Sequence, residues 1–121
     1  MLLCSAGVAA CARTPGPVLV DHSWNHRALT VRPGRIVIVQ LDRTTWTFHP
    51  PGGDVLRQSA QLVRDGPLSC QVLADCGTVT VVVRAARPGD AVITASRRKC
   101  GELIMCDARA GTFRIRVHVR G

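Results

Sequence analysis

The sequence predicts an all-β fold, an immunoglobulin-like β-sandwich of about seven strands. Three observations predict it. Apolar residues recur at every second position in the best-patterned stretches, and no segment keeps a helical period for about ten residues. Pro-Gly pairs break the chain between those stretches. Valine dominates the hydrophobic residues, tyrosine is absent, and Phe and Trp number two each. Such β-branched aliphatics pack better on sheets than on helices.

The elements follow in order. "VLV" (residues 18–20) and "LTV" (29–31) are short strand candidates. "RIVIVQL" (35–41) is a continuous apolar run, as expected of a strand inside a sandwich. Residues 55–63 form a weaker candidate. In "TVTVVVR" (78–84) Val79, Val81 and Val83 share a face, and in "AVITAS" (91–96) Ile93 sits between Ala91 and Ala95. "TFRIRVHVR" (112–120) alternates Phe113, Ile115, Val117 and Val119 with Arg114, Arg116, His118 and Arg120, a half-buried strand with a basic outer face. Arg32-Pro33-Gly34 and Arg87-Pro88-Gly89-Asp90 read as turns. His49-Pro50-Pro51-Gly52-Gly53 cannot be strand interior, and Asp65-Gly66-Pro67 is another break.

The chain has 121 residues, so one domain is expected, spanning residues 18–121. Residues 1–10 are apolar or small and uncharged. Val8-Ala9-Ala10-Cys11 resembles a bacterial lipobox, in which the cysteine is lipidated. The reading is a residual signal or lipoprotein leader over 1–10 and a linker over 11–17. It implies a membrane-anchored or secreted extracytoplasmic protein, attached through lipid on Cys11. The alternative is an N-terminal strand with an ordinary buried cysteine.

Export gives the other cysteines a role. Cys70 and Cys76 enclose five residues, as do Cys100 and Cys106. Neither spacing is that of a zinc knuckle or a redox motif. An even number in a small exported chain reads as disulfides. The local pairs Cys70–Cys76 and Cys100–Cys106 are favoured among the three connectivities, because each brackets a loop-like stretch. A cysteine nucleophile needs a nearby base and a free thiol, which this pattern does not suggest.

The formal charge is +8, and fifteen of the sixteen basic residues are arginine. A GC-rich genome accounts for such a bias, and so does an acidic partner. Nucleic acid is not expected: the charge is dispersed except at Arg97-Arg98-Lys99, and stacking aromatics are few. Glu102 is the lone glutamate, the aspartates sit mostly at turns, and no nucleophile or phosphate-loop motif occurs. No enzyme, metal or cofactor is expected. His22 and His26 lie four apart, but in extended chain that spacing covers about 13 Å.

"LTVRPGRIVIVQL", the Thr44-Thr45-Trp46 stretch, "TVTVVVRAARPGDAVITASR" and "FRIRVHV" together resemble the chagasin-type inhibitors of papain-like cysteine peptidases. The resemblance covers residues 28–120. It implies an immunoglobulin-like sandwich that inserts three loops at one end into a peptidase cleft. The family's first loop carries Asn-Pro-Thr-Thr-Gly, of which Thr44 and Thr45 match. Its second carries Gly-x-Gly-Gly, of which Gly77 matches. Its third carries Arg-Pro-Trp, where this chain has Arg97-Arg98-Lys99 and only Arg97 matches. The expected partner-binding residues are therefore Thr44, Thr45, Trp46, Gly77, Arg97, Arg98 and Lys99, with disulfides stiffening two of the loops.

Trp46 has two readings: an exposed recognition anchor, or a core plug that shares a buried face with Phe48. The function has two readings as well. One is a monomeric, non-catalytic binding domain, a chagasin-like inhibitor with a protein partner. The other is a structural or adhesive module of the cell envelope, whose Arg114, Arg116 and Arg120 face anionic lipid or wall polymer.

Overall fold

A computed structural model describes residues 16–67, 76–100 and 104–121. The leader, Cys11, Cys70 and Glu102 lie outside the described residues.

The described chain folds as β1 (Val18–Val20), a 3-10 turn (His22–Trp24), β2 (Ala28–Val31), β3 (Ile36–Asp42), β4 (Thr47–His49), β5 (Leu56–Arg64), β6 (Thr78–Ala85), β7 (Gly89–Ser96) and β8 (Thr112–Val119). One sheet has the order β1-β3-β6-β5 and the other β2-β8-β7-β4. β1 runs parallel to β3 and β2 parallel to β8; the remaining pairs are antiparallel. The fold is the expected all-β sandwich.

Alternation produces the two layers. Val37, Val39 and Leu41 of β3 and Val79, Val81, Val83 and Ala85 of β6 point inward and are buried. They meet Phe113, Ile115, Val117 and Val119 of β8 and Ile93 and Ala95 of β7 from the other sheet. Burying each larger side chain contributes roughly 1.5–3 kcal/mol, which makes these rows the main source of stability. Among the described residues the core contains no buried polar or charged side chain.

Two expectations change. The strand count rises to eight among the described residues because Thr47–His49 is a strand, paired with β7 through Phe48 and Ala95. The apolar run in β3 is not buried on both sides: Ile36 and Ile38 face outward and are half-buried. The run instead makes the outer face of that sheet apolar.

Turn chemistry sets which loops share an end. Arg35 N–H donates to the Arg32 carbonyl at 3.2 Å, closing a turn in which Gly34 has φ +91°. That is the type II geometry Pro-Gly favours, with Gly at the positive-φ position. The Gly34 N–H also donates to the Ala85 carbonyl at 2.7 Å, and Ala86 N–H to Val55 at 2.8 Å. The β2–β3, β4–β5 and β6–β7 connections therefore meet at one end. The β1–β2, β3–β4, β5–β6 and β7–β8 connections meet at the other.

Candidate functional site

Residues 43–46 join β3 to β4, and Arg43 opens this loop at φ +86°. A non-glycine residue there is strained and persists only where its surroundings hold it. Its N–H donates to the Gly77 carbonyl at 2.7 Å, tying this loop to the start of β6. A Cβ on Gly77 would collide with the Thr44 methyl and the Arg64 carbonyl. Gly77 is therefore required for the two loops to touch.

Trp46 closes the core at this end and is 5% exposed. Its indole Nε1–H donates to the Asp42 carbonyl at 2.9 Å, satisfying the one polar atom on the ring. The Arg97 guanidinium lies over the outer face of that ring, 4.7 Å from its centroid. His22 packs against Trp46 at 5.8 Å and accepts the Asp42 N–H at its Nε2, 3.0 Å away. Accepting that bond requires an unprotonated Nε2. Asn25 pins the same segment to β8, its Oδ1 accepting the Arg114 N–H at 2.8 Å.

The β7–β8 connection is a stapled hairpin. Arg97 N–H donates to Gly111, Cys106 N–H to Arg98 and Cys100 N–H to Ile104, at 2.9, 2.7 and 2.9 Å. Lys99 bridges Met105, and the Cys100–Cys106 disulfide closes the ladder with its Cα atoms 5.0 Å apart. Asp107 organises the return, its Oδ1 accepting the Ala110 N–H at 2.7 Å. The hairpin presents Ile104 and Met105, each 65% exposed, beside exposed Arg98 and Lys99. At the base of the hairpin a cleft of about 450 Å³ is lined by His22, Asp42, Arg43, Cys76, Gly77 and Arg97.

The structure brings all seven predicted contact residues to one end of the sandwich but divides their roles. Thr45, Arg98 and Lys99 are exposed, while Thr44 and Arg97 are half-buried. Trp46 and Gly77 are buried, as the core-plug reading of Trp46 has it. Trp46 is the core plug, and Gly77 is where two loops pack. Cys76 is disulfide-bonded, while Cys70, its predicted partner, lies outside the described residues. Ile104 and Met105, exposed on the hairpin, are not among the residues the sequence singles out. Their only signal was an apolar pair inside a cysteine-bracketed loop.

No family model and no curated protein matches the sequence. Solved structures do match. The cysteine protease inhibitor EhICP2 of Entamoeba histolytica superposes with a TM-score of 0.67 at 13% identity, over 87% of this chain and 96% of that one. Amebosin superposes with a TM-score of 0.62 at 16% identity, over 87% of this chain and all of that one. The sandwich fold of this chain is the fold of these two structures. At such identities the likeness carries the fold and leaves the loops to speak for themselves.

Proposed function

We propose that the protein is a non-catalytic binding domain that inhibits a papain-like cysteine peptidase through the loop end. The observation that carries this reading is the stapled hairpin. It holds exposed Ile104 and Met105 on the strand opposite exposed Arg98 and Lys99, at the end where the β3–β4 and β5–β6 loops meet. An exposed apolar pair beside a cationic pair suits a concave, acid-rimmed cleft, and a loop stiffened in advance loses less freedom on binding. The EhICP2 likeness supports the reading through the scaffold. A structural disulfide persists in an oxidising compartment, which suits an exported protein. Lipid attachment through Cys11 is part of the same proposal.

The test is a titration. A papain-like peptidase is activated, freed of reductant so that the staples survive, and assayed on a small chromogenic peptide. Saturable, competitive loss of activity is expected. Full activity in excess protein with intact disulfides rejects the reading.

One observation favours the envelope-module reading. Arg114 and Arg116 on the outer side of β8, and Arg120 just past its end, are all exposed, while Trp46 is buried. Retention of the domain on anionic vesicles should then vanish as salt rises. Retention that ignores salt counts against it.

A further inference from the structure

β5 is nine residues long, and eight of them are exposed; only Leu56 is buried. Leu62 and Val63 are 64% and 59% exposed. Among the described residues β5 pairs with β6 alone, and no described strand pairs with the backbone N–H and C=O groups along its other edge. β4, the edge strand of the opposite sheet, has three residues and is too short to cover it. Among the usual guards of a long edge, β5 lacks lysine and proline and carries Arg57, Arg64 and a bulge near its start.

Its bulge sets which side chains act together. The register slips between Gln58 and Ala60, and Ser59 Oγ–H donates to the Val82 carbonyl at 3.3 Å. Seven positions separate Arg57 from Arg64, which in a regular strand places them on opposite faces. The extra residue rephases the strand. Arg57, Ala60, Leu62 and Arg64 then share the outer face, opposite Arg84, Val82, Thr80 and Thr78 of β6. Ala60 also continues an apolar row through Val82 and Ile38 to Leu19, which is 71% exposed.

We propose that the free edge of β5 is a docking site for an extended peptide segment with acidic residues at both ends and apolar residues between. Main-chain bonds to β5 would supply affinity, and the Arg57–Ala60–Leu62–Arg64 face would supply selectivity. A second copy of this chain fits poorly. Antiparallel pairing of two β5 edges sets Arg57 towards Arg64 of the other copy, and parallel pairing in register sets arginine beside its own equivalent. Like charges directly opposed are destabilising. This proposal is independent of what the loop end binds.

The test uses two blocked peptides, Glu-Thr-Val-Thr-Val-Thr-Glu and its lysine-ended counterpart, titrated into the isotope-labelled protein and followed by amide NMR. The expected result is saturable shifts along residues 57–64 with the glutamate-ended peptide and none with the other. The double variant Arg57→Glu, Arg64→Glu should reverse the preference by several-fold. Equal response to both peptides, or to neither, overturns the proposal in the unaltered protein alone. So does a β5 response that grows with protein concentration and no peptide, which marks a second copy as the occupant.

Discussion

The Arg97 guanidinium rests on the Trp46 ring, Cζ 4.7 Å from its centroid, and so joins the start of the β7–β8 hairpin to the plug of the core. The packed indole fixes where the hairpin begins, and the half-buried arginine shields the indole from water. Trp46→Ala should cost about 3–5 kcal/mol, because the cavity opens at the end of both sheets. Arg97→Ala should cost about 1 kcal/mol through the lost cation–π contact, and should shift indole emission towards that of a wetter ring. Denaturant unfolding and fluorescence of the two variants check both.

The Cys100–Cys106 staple closes a short loop, and the chain-entropy model assigns such a bridge about 2 kcal/mol. Replacing both cysteines with serine should lower stability by that order. It should also speed hydrogen exchange at the Cys100 and Cys106 amides, which bond to Ile104 and Arg98 within the ladder. Binding by the loop end should suffer more than stability does, since the sandwich core is untouched. Unchanged exchange at those amides contradicts the assigned role of the staple.

Much of the sandwich was legible because alternation is a local signal. Phe113 to Val119 and Val79 to Val83 announce their buried faces in the sequence, and Pro33-Gly34 announces its turn. β4 was not legible: three residues cannot show a period, and Trp46 to Phe48 reads equally as loop or plug. The meeting of Thr44 with Gly77, and of Arg97 with Trp46, depends on which strands pair across long stretches of chain. Local pattern cannot set that. The exposure of Ile104 and Met105 follows from the hairpin continuing past the sheet, which cysteine spacing alone does not reveal.

Asp90 at the start of β7 accepts a hydrogen bond from His118 Nδ1 at 2.7 Å, with Arg120 Nη2 at 3.4 Å. The His118 bond, followed by the Arg120 charge, holds its carboxyl below the ordinary carboxylate value. A folded-state value below the unfolded one means that this carboxylate stabilises the fold above the ordinary carboxylate range. That contribution is lost as the pH falls through the lowered value. Asp90→Asn should therefore lose its stability deficit against the unaltered protein on acidification below about pH 4. Thermal melts of the two proteins across that window check the sign. A deficit that grows towards acid contradicts it.

The most direct test of the loop-end account is the inhibition constant against a papain-like peptidase for three proteins: the unaltered chain, Met105→Glu at the hairpin, and Arg32→Glu in the turn at the far end. Both substitutions fall on exposed residues, so each should leave the fold intact. The account predicts inhibition by the unaltered chain, at least about tenfold weaker inhibition by Met105→Glu as expected for a contact residue at a binding centre, and no change for Arg32→Glu. No inhibition by the unaltered chain, or an equal effect of the two substitutions, would contradict it.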